Sequence, residues 1–217
     1  MRIYFISGLG VDHRLFMNLE LPGHEVHYVR WVVPHRNESV KDLALRLAEQ
    51  IDASQPFALC GVSFGGMCAT EIAKVLKPQK LILISSAKRG SELPWTVRMF
   101  RFFPLQRIIS SDRFYTRMAL IMWRMFGFKG REQYKIFRHM MQSMPPGYFA
   151  PACNCVINWK NREYEDALHI HGDKDLILPY WNIKNTVRIK GGSHVMVLNN
   201  AKEISNIIMR ALEPLKA

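Results

Sequence analysis

The chain has 217 residues, 48% of them hydrophobic and 22% charged, which suits one globular domain with a sizeable core and excludes a disordered chain. No apolar run approaches the ~18 residues of a membrane span, and Met1-Arg2-Ile3-Tyr4-Phe5-Ile6 reads into a strand rather than a secretory signal. The net charge of +12 is the unusual value, and it raises nucleic acid, acidic partners and anionic surfaces as binding classes to weigh.

Residues 3–6 form a short apolar run ended by Ser7-Gly8-Leu9-Gly10, a buried strand and a tight loop. Residues 25–31 predict a second strand. Ser39 and Asp42 resemble a capping box, and Val40, Leu43, Ala44, Leu47, Ala48 and Ile51 then recur at helical spacing, predicting a helix to about residue 54. A third strand is expected over Phe57–Val62, a helix over Phe64–Leu76 stopped by Pro78, and a fourth strand over Lys80–Ser86. Residues 88–148 carry no strand pattern and suggest several helices. Strands resume at Ala167–His171 and Thr186–Lys190, and Glu203–Leu212 closes the chain as a helix. The alternation predicts an α/β fold with a mostly parallel six-stranded sheet flanked by helices. Residues 1–87 and 150–217 would form its core, and 88–149 a helical cap insertion. Cys60, Cys68, Cys153 and Cys155 form no CxxC pair. They read as reduced thiols of a cytoplasmic protein, and neither a metal site nor a cofactor is expected.

Gly61-Val62-Ser63-Phe64-Gly65-Gly66 fits G-x-S-x-G between a strand and a helix. A serine in so sharp a turn needs small neighbours two positions away, and the helix beyond it aims its first amides at the site. A serine hydroxyl is a weak nucleophile without a base. His194, in the loop Gly191-Gly192-Ser193-His194 after a predicted strand, is the candidate base. His13, His24, His27, His35, His139, His169 and His171 are weaker candidates: His169 and His171 read as packing or surface residues, and His13 as a residue that could line the pocket. His171-Gly172-Asp173-Lys174-Asp175 offers two acids to orient the base. Asp175 is favoured, because Asp173 lies nearer the strand end and can brace the turn. The amides of Leu9 and Phe64 are the expected oxyanion donors. Ser63, Asp175 and His194 thus succeed one another in order, each after a strand.

With these motifs the chain resembles the α/β-hydrolase superfamily, as a compact serine esterase-like member. The resemblance covers residues 1–87 and 150–217 and implies a trimmed, six-stranded sheet with the insertion at the cap position. Many members carry His-Gly at the oxyanion loop where this chain has Ser7-Gly8, but the Leu9 amide does not depend on that pair. Ser63 excludes relatives that use an aspartate nucleophile. The resemblance implies hydrolysis of a small-molecule ester or thioester through an acyl-enzyme, and the methionine-rich insertion points to a mostly apolar acyl group. Acyl transfer, lyase or C–C hydrolase chemistry on the same fold stays open, as does a non-catalytic membrane- or carrier-binding module.

Residues 88–148 hold twelve Lys or Arg against three Asp or Glu, and seven of the twelve methionines. Trp95, Phe100, Phe102, Phe103, Trp123, Phe126 and Phe128 lie among them. Phe114, Met118, Ile121, Met122 and Met125 form an apolar stripe at helical spacing, while Arg113, Arg117 and Arg124 could share another face. Met118, Met122 and Trp123 are the candidate substrate contacts, since methionine adapts to varied shapes. A positive rim would suit anionic substrates, an acidic carrier protein or an anionic membrane surface, with the protein then peripheral to the membrane. Nucleic acid is not expected, because the charge is interleaved with apolar residues and no recognised binding fold appears.

Overall fold

The computed structural model describes residues 1–102, 111–163 and 166–213, so Phe103 lies outside it. Its six strands are β1 (Arg2–Ile6), β2 (Glu25–Val29), β3 (Phe57–Val62), β4 (Lys80–Ile84), β5 (Leu168–Gly172) and β6 (Val187–Ile189). They pair in parallel in the order β2-β1-β3-β4-β5-β6. The central strand β3 is buried along its whole length, as expected of a parallel strand covered on both faces. Because every strand runs the same way, their carboxyl ends share one edge of the sheet. The loops that begin at Ser7, Ser63, Asp173 and Lys190 all leave from it.

Helices α1 (Val40–Ala48) and α2 (Phe64–Leu76) flank the sheet and pack on each other. The Ser39 hydroxyl caps α1 by accepting from the Asp42 N–H at 3.1 Å. The helix ends at Ala48, short of the expected 54, and one side chain explains this. Gln50 bonds both the N–H and the C=O of Arg30, at 2.9 and 3.0 Å. That draws the chain out of the helix and also ends β2 at Val29, before the expected Trp31. Helix α2 stops at Lys77, which adopts a left-handed conformation (φ 49°) ahead of Pro78.

Between β4 and β5 lies a helical insertion. Its described helices are α3 (Trp95–Met99), α4 (Asp112–Ile121), α5 (Trp123–Phe126), α6 (Gly130–Gln142) and α7 (Phe149–Asn158). Polar ties fasten it. The Arg101 guanidinium donates to the carbonyls of Ile157 and Trp159 at the end of α7, at 2.5 and 2.6 Å. Ser143, after α6, joins Asp12 and Arg14 of the loop beyond β1, at 2.9 and 3.0 Å. Helices α8 (Met196–Asn199) and α9 (Ala201–Leu212) complete the chain and pack on each other. Among the described residues no helix is long and apolar enough to cross a membrane.

Leu59, at the centre of β3, is completely buried. Leu59→Ala should lower the unfolding free energy by about 2–5 kcal/mol, read as a lower urea midpoint at unchanged m-value.

Candidate active site

Ser63 ends β3 and precedes α2 with φ 53° and ψ −121°, a backbone conformation that non-glycine residues rarely adopt. Its neighbours permit the bend by lacking side chains. A Cβ on Gly61 would meet the carbonyl oxygen of Gly65, one on Gly65 the carbonyls of Ile6 and Ser7, and one on Gly66 the Ser86 side chain. The Ser63 carbonyl is held by the N–H groups of Gly66 and Met67 at 2.9 and 3.2 Å and by the Ser86 hydroxyl at 2.7 Å. The hydroxyl is thereby presented at the carboxyl edge of the sheet.

The structure brings Ser63, His194 and Asp175 into one hydrogen-bonded chain. Ser63 Oγ lies 2.9 Å from His194 Nε2, and His194 Nδ1 lies 2.8 Å from Asp175 Oδ2. With Asp175 accepting from Nδ1–H, Nε2 is the lone-pair nitrogen that faces the hydroxyl. The other carboxylate oxygen, Oδ1, accepts the N–H groups of Ile177 and Leu178 at 2.9 and 2.8 Å. Burial pushes the Asp175 carboxyl up, but the His194 imidazole and the Leu178 amide outweigh it and hold the group below the usual carboxylate range. Asp173 sits elsewhere: it binds Arg188 at 2.6 Å and the Gly191 N–H at 2.7 Å, bracing the β5 and β6 exits.

Two residues outside the expected set support this chain. His171 is fully buried, with Nε2 donating to the Leu178 carbonyl at 2.8 Å and lying 3.5 Å from Asp175 Oδ2. Burial lowers its pKa despite the pull of Asp175, so it is neutral. The period-two pattern places it in a strand but cannot reveal that this face abuts the acid. Trp31, just past β2, donates its indole N–H to Ser7 Oγ at 3.0 Å and to the Gly8 carbonyl at 3.2 Å. Ser7 in turn donates to the Val11 carbonyl at 2.7 Å. The Trp31 ring also stacks on Phe64, with centroids 5.0 Å apart and planes within 6°. Trp31 therefore touches both the Ser7–Val11 loop, which carries the Leu9 amide, and the residue that carries the Phe64 amide. Among the described residues neither of those two amides finds an acceptor.

Above Ser63 lies a cavity of about 310 Å³. Its lining joins Leu9, Met67 and His194 of the core to Tyr115, Met118 and Met122 of the insertion. Trp123 is not in the lining. It packs edge-on to Tyr134 at 5.3 Å, because the helix breaks at Met122 (φ −88°, ψ 7°) and the next turn is rotated out of phase. His13 does not line the cavity either: it is exposed and leans on Tyr28. The His194 loop is also tied to the insertion. The Val195 N–H donates to the Phe126 carbonyl at 3.0 Å and the Asn199 side chain to the Gly127 carbonyl at 2.8 Å. Gly127 (φ 95°) lies so close to Ser193 that a Cβ there would strike its side chain.

Compared with known proteins, the chain matches the model of the alpha/beta hydrolase family over residues 3–206. No curated protein matches it. Among solved structures it is similar to an esterase from Exiguobacterium antarcticum, at 16% identity and a TM-score of 0.76, covering 99% of this chain and 92% of that one. It is likewise similar to the enol-lactonase from Burkholderia xenovorans, at 16% identity and 0.72, covering 98% and 91%. A thermophilic esterase from Thermogutta terrifontis gives 16% and 0.69, covering 98% and 89%. At these identities the likeness is one of fold.

Two outcomes are expected. Trp31→Phe keeps a ring against Phe64 but removes the indole donor, and should slow labelling of Ser63 by a fluorophosphonate on the order of tenfold or more; an unchanged labelling rate would show that the loop needs no such brace. His171 is held below its ordinary value, so the unfolded chain takes up the proton first as pH falls below about 6.5. Stability should decline from there until pH passes the lowered folded value. His171→Gln should show a shallower loss between about pH 6.5 and 5 in urea titrations.

Proposed function

The chain belongs to the alpha/beta hydrolase family, and on that premise we propose that it is a serine hydrolase of carboxylic esters or thioesters with a mostly apolar acyl group. The observation that carries the reading is the hydrogen-bonded chain from Ser63 Oγ through His194 to the buried Asp175.

In the proposed reaction Ser63 Oγ attacks the substrate carbonyl carbon while His194 Nε2 takes the hydroxyl proton. Asp175 holds the tautomer of His194 and stabilises the imidazolium. The Leu9 and Phe64 amides receive the developing oxyanion. The intermediate collapses, the C–O or C–S bond breaks, and His194 returns its proton to the leaving alcohol or thiol. Water then attacks the acyl-serine, again with His194 as base, and the free acid departs. The cavity of about 310 Å³ supports an apolar acyl group, because apart from the reacting groups its wall is aliphatic, aromatic and sulfur-bearing. Small esters suit the resemblance to esterase structures.

Ser63→Ala should lower kcat/KM for a p-nitrophenyl ester by at least about a thousandfold at unchanged fold. A panel of p-nitrophenyl esters and acyl thioesters of graded length would then rank the acyl groups. Unchanged turnover in Ser63→Ala would refute the assignment.

A further inference from the structure

Beside the cavity lining, the insertion carries large apolar side chains that are exposed. Along α4, Phe114, Met118 and Ile121 stand at helical spacing and are all exposed, Ile121 at 67%, and Met125 of α5 is exposed as well. Helix α4 buries no residue at all. On α3 and just beyond it Trp95, Met99, Phe100 and Phe102 are also exposed, Phe102 at 80%. Monomeric proteins rarely display so many large apolar side chains together. Val97 of α3 and Met118 of α4 both line the cavity, and both helices pack on α7. Arg98, Arg113, Arg117 and Arg124 lie on the same segments, exposed or nearly so, with no ion-pair partner among the described residues. The one acid there, Asp112, is engaged with the N–H groups of Gly147 and Phe149.

We propose that α3, α4 and α5 dock on an anionic phospholipid surface, with the cavity mouth facing the bilayer. Helices of this kind lie in the interfacial plane, with Trp and Phe below the headgroups and Arg among them. Charge complementarity selects anionic lipid, since each surface arginine adds to the attraction. A bilayer is favoured over an acidic protein because it offers negative charge and an apolar phase for these separate side chains to enter. Docking does not depend on the catalytic reading, and Ser63→Ala protein should bind as the parent does.

The test is co-sedimentation of the full chain with phosphatidylcholine vesicles lacking or containing 30% phosphatidylglycerol. Binding should require phosphatidylglycerol and weaken at high salt. Arg113→Gln with Arg117→Gln should weaken it on the order of tenfold or more. Phe114→Ser with Ile121→Ser should weaken it similarly, with thermal unfolding and labelling of Ser63 unchanged in both variants. No binding to anionic vesicles by folded protein would overturn the proposal. So would binding that neither pair alters, which would place the contact elsewhere. Capture by an acidic carrier protein without vesicle binding would overturn it in favour of a protein partner.

Discussion

At Ser63 the backbone occupies a conformation that costs a residue with a side chain about 1–3 kcal/mol, and the surrounding structure is arranged to hold it there. The bend exists because β3 passes directly into α2 with Ser63 alone between them, which forces Gly61, Gly65 and Gly66 against neighbouring backbone and Ser86. Those contacts are available only because β1 and β4 pair on either side of β3. The strain is therefore opposed by the most deeply buried part of the sheet, where a local relaxation would disturb β1 and β4 as well.

The groups around the serine rest on similar arrangements of buried polar atoms. Asp175 is a buried charge that stays ionised because three N–H groups converge on it, those of His194, Ile177 and Leu178. His171 holds the Leu178 carbonyl, so the short loop that wraps the carboxylate is pinned at both ends. On the other side of the serine the Trp31 indole plays the corresponding part. It joins Ser7 and Gly8 to Phe64, two segments that meet only in the folded sheet.

The features legible in the sequence were those written locally. A strand, a glycine-flanked serine and a helix succeed one another without interruption, and the loops bearing Asp175 and His194 each come after a strand. The six parallel strands and the helical insertion between the fourth and fifth arise from the same alternation. Tertiary contacts decided the rest. Gln50 ended a helix and a strand together by bonding Arg30, across a separation that no periodicity records. Trp31 read as a strand residue, yet lies beyond β2 with its indole turned to the Ser7–Val11 loop. Trp123 shared a sequence neighbourhood with Met122, but the helix break at Met122 sent it to Tyr134 instead of the cavity.

The contact between the Phe126–Gly127 turn and the loop bearing His194 bears on how such a chain can diverge. A segment inserted between two strands would ordinarily be free to drift, or to be exchanged whole for another. Here the turn supplies two carbonyls to the Val195–Asn199 stretch, and only a glycine fits beside Ser193. Wholesale exchange would therefore remove the support of the imidazole. A substitution at this turn would disturb the His194 loop, whereas α3 and α4 bury no side chain and can change residue by residue at little cost to the fold.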